Sequence, residues 1–395
     1  VKIIKKITAF YAGGTGFSGQ RFATEIVLSG LRERGWKIEA IEIPSLDRVN
    51  YSQSFLRKIF KSIELLLKSI VYSIKVIISA FSCSLIYVNV GQTKFSLFRD
   101  GLPLLIRSFF SSKPIGIISL HGSLFINWDK NCLENKLLNT MAKTAMYITV
   151  LGIKQCEKLA KLGIQPNKIT ILDNTCLLPV VSPAEIVGKQ NNTASDRPIT
   201  ILYLSSLIES KGYVEFVEAI ELLANEDRIA IEAILCGKIV DIKDPSNKFI
   251  TPDRAAQWIT EKIAKIEQSN LVSLSWIDGA IGETKTKLFD RAQIFILPSR
   301  YPVEAQPIVI LEALASGCAI ITTTVGEIPN TVDPTTALIL DNIEPKTIEK
   351  AIEELVSNRE KRTNLALCGR ELFQKRFSHS KHMEQWENLL NSFLN

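Results

Sequence analysis

Short apolar runs alternate with stretches of helical periodicity along almost the whole chain. Residues 2–11 read as a strand, 17–34 as a helix and 37–43 as a second strand, with further strands at 85–90, 115–121, 148–151 and 169–172. Runs this apolar, separated by helices, suit a parallel sheet covered on both faces. A second series of the same rhythm runs from Ile199 to Ile339, and residues 347–395 read as helical. Between the two series, residues 182–198 are polar and carry Gly188, Gln190, Asn191 and Asn192. That composition predicts a linker between two α/β domains, 1–181 and 199–376, followed by a terminal helical segment, 377–395.

Residues 54–81 break the rhythm. The segment is long, aliphatic and basic, with Arg57, Lys58, Lys61, Lys68 and Lys75 against Glu64 alone. The charges interrupt every apolar run well short of the roughly 20 residues that span a bilayer. Two readings stay open: a helix or helix pair packed on the sheet, or an amphipathic basic face lying on an anionic membrane.

The 395 residues suit two domains of ordinary size, and a hydrophobic content of 46% fills two cores. No N-terminal stretch has the pattern of a secretory leader. The chain opens on Val1, which a start codon read literally or the loss of preceding residues would both produce. The seven cysteines are scattered without a C-x-x-C pair, which argues against a zinc site or a disulfide framework and fits a reducing compartment. The net charge of +6 is uneven. Residues 1–181 hold 24 basic and 11 acidic side chains (+13), and residues 182–395 hold 23 and 30 (−7). An anionic surface is the partner this implies for the first domain. No nucleic-acid motif accompanies the charge, so nucleic acid is not an expected partner.

The chemistry concentrates between Ala292 and Gly317. An apolar strand, 292–297, leads into a loop carrying Glu304, Gln306 and Pro307. Pro307 suits an early helix position, because its missing N–H is one the first turn leaves unpaired. Ile308 and Glu312 follow on that helix, and Gly317 ends it. One carboxylate thus sits on a loop and one on a helix, beside a helix N-terminus that suits anions.

Glu304 and Glu312, eight apart, resemble the E-x7-E signature of the retaining glycosyltransferases of family 4 (glycosyl transferases group 1), which have the GT-B fold. The run Gly326-Glu327-Ile328-Pro329 and the strand–loop–helix from Ile201 through Ser206 and Lys211 to Gly212 are similar to that family in order and spacing. The resemblance covers most of residues 199–376 and is weaker in the first half. Two departures stand out. Ser206 occupies the position where the phosphate loop usually carries Arg, and Ala305 follows the first Glu where Gly is usual.

Near the start, Gly13, Gly14, Gly16 and Gly19 follow the first strand with G-x-x-G-x-x-G spacing. The loop looks much like that of the nucleotide-sugar epimerases. Those enzymes need a Tyr four residues before a Lys, and no tyrosine here has that partner. His121 closes a strand at the edge where α/β sheets bind ligands, and Asn174 aligns with the family's Asn before the linker.

The resemblance implies two doubly wound, Rossmann-like domains facing across a cleft, with the last helix crossing back to the first. It implies transfer of a sugar, with retention, from a nucleoside-diphosphate sugar to a glycan or lipid-linked acceptor, in the cytoplasm or on the inner face of the cell membrane. Glu304 and His121 would be catalytic. Gly13, Gly14, Gly16, Ser206, Lys211, Gln306, Pro307, Ile308 and Glu312 would bind the donor. No D-x-D triplet occurs, so no obligate metal or other cofactor is expected. Lys211, helix N-termini and Arg300 would take the cation's role. An epimerase, or a nucleotide-sugar-binding protein without turnover, are the rival readings.

Overall fold

The computed structural model describes residues 5–12, 19–44, 55–81, 85–110, 115–191, 198–240, 247–249 and 251–392. The chain divides into two compact units, Val1–Asn174 with Ser380–Asn395, and Thr175–His379.

The first unit is built on six parallel strands: β1 (Lys6–Ala12), β2 (Lys37–Ile43), β3 (Leu85–Asn89), β4 (Gly116–Ser119), β5 (Ala145–Val150) and β6 (Ile169–Ile171). Their order is β2-β1-β3-β4-β5-β6. Side chains alternate between faces at a period of two. Phe10, Ile86, Val88 and Ile118 enter one core, and Ile7, Ala9, Tyr11, Tyr87 and Ile117 enter the other. Helix Gly19–Glu33 and the final helix His379–Asn391 cover the second face, the latter through Met383, Trp386 and Leu390. Trp386 meets Tyr87 edge to face at 5.9 Å, and the hydroxyls of Tyr147 and Ser392 share a hydrogen bond of 2.9 Å. Residues 55–81 form one continuous helix, Phe55–Phe81, beside helix Lys94–Phe110.

The second unit has β7 (Ile199–Leu204), β8 (Ile231–Cys236), β9 (Val272–Ile277), β10 (Ile294–Leu297), β11 (Ala319–Thr322) and β12 (Leu338–Ile339), all parallel. The order is β12-β11-β10-β7-β8-β9. Every residue of β7, β10 and β11 is buried, which is why these strands read as unbroken apolar runs rather than alternating ones.

The stretch predicted as a linker differs. Pro183–Asn191 is a helix belonging to the second unit, and the boundary between units falls at Asn174. Two of its polar residues, Lys189 and Gln190, donate to backbone carbonyls of the second unit, while Glu185 and Asn191 are exposed. The Gln190 amide donates to the carbonyls of Gln293 (3.1 Å) and Gly317 (3.2 Å), and the buried Arg362 donates to Gln190 Oε1 at 2.9 Å. Buried carbonyls left without such donors would cost stability. Residues 192–197 lie outside the described residues.

Candidate functional site

In the second unit the strand order reverses between β10 and β7, and open α/β sheets bind ligands outside the carboxyl ends of the strands at such a reversal. The two strands pair directly, Ile294 with Ile201 and Ile296 with Tyr203. The loops leaving Leu204 and Leu297 therefore begin side by side. The first carries Ser206 and Lys211; the second carries Glu304, Gln306 and Pro307. They are stitched together. Arg300 N donates to Ser210 O at 2.7 Å, and the Tyr203 hydroxyl donates to Lys211 O at 3.2 Å. Two glycines permit this packing. Gly212 has φ +81°, and a Cβ there would sit 2.2 Å from Pro298 O. Gly326 has φ +56°, and a Cβ there would sit 1.9 Å from Glu304 O. Any side chain at either position would clash with backbone.

This framework brings Lys211 and Glu304 together. Lys211 Nζ lies 3.3 Å from Glu304 Oε2, and Ser299 Oγ donates to the same oxygen at 3.1 Å. The lysine side chain is 17% exposed and the carboxylate 8%. The Tyr301 ring centroid lies 5.5 Å from the ammonium. A cation and a carboxylate held at the mouth of a sheet can meet an anionic phosphate and a sugar hydroxyl respectively.

Glu312 lies on helix Ile308–Ala315 and is buried. Its Oε1 is ion-paired with Lys285 from helix Gly282–Arg291, itself nearly enclosed. Its Oε2 is buried with no hydrogen-bond partner among the described residues. Burial pushes the carboxyl up from its ordinary value, and the Lys285 charge opposes that. A buried acceptor oxygen without a donor, beside one already held, is an arrangement a hydroxyl-bearing ligand would complete. Cys176 stands close enough that burial, reinforced by the Glu312 charge, pushes its thiol up to about 12, so it is inert as a nucleophile.

Several expectations shift in detail. Pro307 stands at the N-cap with φ −65°, so the helix begins one residue later, at Ile308. Gln306 is buried beside it. Arg300, half exposed, pairs with Glu215. Ser206 is exposed on the first loop. Ala305 carries no strain, because Asp227 alone among the described non-glycine residues has positive φ. Gly13, Gly14 and Gly16 lie outside the described residues.

In the first unit, His121 follows β4. Its Nε2 lies 3.1 Å from Ser119 Oγ, which accepts a hydrogen bond from Thr149 Oγ1 at 3.0 Å. His121 Nδ1 is buried without a hydrogen-bond partner among the described residues. Burial pulls its imidazole down to about 4, and the side chain of Asn174 opposes the shift. His121 and Asn174, distant in sequence, thus belong to one locus. The ring is neutral at physiological pH, so it can donate or accept one proton but holds no charge.

Lys285, Ser299 and Tyr301 were not marked by their sequence context as parts of a site. Lys285 sits in a polar helix among other charges, and nothing in its spacing points 27 residues ahead to Glu312. No group of three or more His, Cys, Asp or Glu able to hold a metal occurs among the described residues.

Residues 188–371 match the family described as Glycosyl transferases group 1. A curated relative, the alpha-maltose-1-phosphate synthase of Mycolicibacterium smegmatis, is 24% identical over 236 residues. That match covers 56% of this chain and 56% of the relative, so the chain spans little more than half the length of the curated relative it matches. Among solved structures, the Anabaena protein HepE in complex with UDP superposes with a TM-score of 0.67 at 15% identity, covering 98% of this chain and 100% of that one. The sucrose-phosphate synthase of Thermosynechococcus elongatus gives 0.67 at 17% identity, over 98% and 99%. At such identities these likenesses establish the fold, an α/β pair of six-stranded parallel sheets of GT-B type. The second unit thus matches the glycosyl transferases group 1 pattern over residues 188–371, and the two sheets match structures of the GT-B fold.

Proposed function

We propose that this protein transfers a sugar from a nucleoside-diphosphate sugar to an acceptor hydroxyl, with retention at the anomeric carbon. The observation that carries the reading is the convergence of Lys211 and Glu304 at the reversal between β7 and β10. Lys211, with the N-terminus of helix Ile308–Ala315, would stabilise the diphosphate as it leaves. Glu304 would hold hydroxyls of the transferred sugar. Glu312 would receive the ribose hydroxyls on its unpartnered oxygen. In the first unit, neutral His121 and the Gly13–Gly16 loop would meet the sugar and the acceptor. The departing phosphate would take the acceptor's proton on the same face, so the protein's part is positioning and charge stabilisation. Binding of UDP by HepE supports a nucleoside-diphosphate donor. The acceptor class proposed is a glycan or lipid-linked glycan of the cell surface, glycosylated from the cytoplasm.

A second reading, binding without turnover, draws on Ser206, which supplies no charge where the family carries a cation. One experiment separates the two. Purified protein is incubated with labelled UDP-, GDP- and dTDP-sugars and a lipid-extract acceptor panel. Transfer to an acceptor with the donor's anomeric configuration supports the proposal. A donor that raises the melting temperature without turnover across the panel supports binding alone.

A further inference from the structure

Helix Phe55–Phe81 has two apolar faces. One carries Tyr72, Val76 and Ala80, which are buried; Tyr72 packs edge to face on Phe10 at 6.0 Å, and its hydroxyl donates to Arg99 O at 3.1 Å. The other lies on the opposite side of the helix. Leu67, Ile70, Ile74, Ile77, Ile78 and Phe81 recur at helical spacing and are 48–65% exposed. This outward stripe runs roughly 20 Å at 1.5 Å per residue.

The neighbouring helix, Lys94–Phe110, continues the surface. Phe95, Phe98, Phe109 and Phe110 are 50–81% exposed on its outer side. The rings of Phe81 and Phe110 meet at 5.1 Å, so the two stripes join. Together these side chains expose on the order of 1,000 Å² of apolar surface, where the largest patch of a soluble monomer is ordinarily a few hundred.

We infer that the outer faces of helices Phe55–Phe81 and Lys94–Phe110 form one docking surface for an anionic lipid bilayer, inserted shallowly and parallel to its plane. Three observations select the occupant. The two helices carry eight basic positions against two acidic ones, Glu64 and Asp100; of the eight, Arg107 is turned inward, buried and donating to Ala80 O at 2.8 Å. Both acids are engaged locally, Glu64 with Lys68 at 2.6 Å and Asp100 with Arg99 at 2.6 Å, while Lys75 and Lys94 are exposed on the same two helices. A second copy docked on this surface would bring the same positive charge against itself, whereas anionic headgroups complement it. No helix among the described residues is long and apolar enough to cross a membrane, so the surface lies on a bilayer and does not span it.

The inference stands apart from the transfer reaction, and its test needs neither donor nor acceptor. The full chain is sedimented with phosphatidylcholine vesicles and with vesicles containing phosphatidylglycerol, alongside Ile74→Glu/Ile78→Glu and Phe109→Ser/Phe110→Ser variants. Circular dichroism and melting curves confirm that each variant folds, and light scattering gives its oligomeric state. The wild type is expected to bind the anionic vesicles, to bind the neutral ones weakly, and to keep part of its binding at high salt, where charge is screened but apolar insertion is not. Each folded variant is expected to lose roughly tenfold or more in affinity. Wild-type binding by both variants, equal binding to the two vesicle types, or no binding at low salt would overturn it. So would a wild-type dimer, without lipid affinity, that the variants convert to monomer, since the surface would then belong to a second copy of this chain.

Discussion

Lys285 forms an ion pair with Oε1 of Glu312 inside the second unit, and the other carboxylate oxygen, Oε2, is left buried without a hydrogen-bond partner among the described residues. Removing one member of a buried pair strands the other, at a cost of about 3–5 kcal/mol. Lys285→Met should therefore destabilise the protein near pH 7. The sign of its pH dependence follows from Glu312. Burial already raises this carboxyl, and loss of the opposing lysine raises it further. A carboxyl whose folded value lies above its unfolded one destabilises the fold increasingly as pH rises past the unfolded value. Melting curves should show the deficit of Lys285→Met against wild type shrinking as pH falls toward 5. A deficit independent of pH would mean that the lysine acts by packing alone.

Glu304→Gln and Lys211→Ala should each lower turnover at least roughly tenfold and leave the fold intact. Each removes one charged contact at the β7/β10 reversal, and loss of one such preorganised contact commonly costs about 3 kcal/mol in the transition state. The two residues share an ion pair in the ligand-free protein. The double variant should therefore fall short of the sum of the single effects. Wild-type rates in either folded variant would remove that residue from the site.

His121 should remain neutral through the physiological range. Its folded value is pulled down to about 4 from an ordinary 6.5 by burial. A histidine depressed in this way opposes folding once the unfolded chain begins to take up a proton. Wild-type stability should thus fall relative to His121→Gln as pH drops from about 6.5 toward about 4, and the two should run parallel above pH 7. An NMR titration of the ring protons provides the direct check; a midpoint near 6.5 would contradict the enclosed environment of Nδ1.

Transfer activity should survive excess EDTA. The sequence holds no D-x-D triplet, and the proposed counter-charge for the diphosphate is Lys211. Activity silenced by chelator and restored by magnesium or manganese would assign the diphosphate's counter-charge to a metal instead.

Much of the molecule is written in its sequence because burial on both faces of a parallel sheet demands uninterrupted apolar strands. β7, β10 and β11 could be read directly for that reason, and Gly317 marked the end of a helix through its left-handed φ of +63°. The E-x7-E spacing located Glu304 and Glu312 because both lie within a single strand–loop–helix. Tertiary structure decided what is distant along the chain. Strand order placed β7 beside β10 and so joined Lys211 to Glu304, 93 residues apart. Helix packing set Lys285 against Glu312, and the order β4-β5-β6 brought Asn174, beyond β6, to His121, beyond β4. Composition misled at Pro183–Asn191, where Gln190 looked solvated but instead satisfies buried carbonyls. The double-faced helix Phe55–Phe81 shows the same limit. Its aliphatic residues were visible in the sequence, but only the packing of Tyr72 and Val76 against the sheet fixed which of them face outward. Periodicity records that a helix has an apolar stripe; which stripe meets the core depends on the neighbour that covers it.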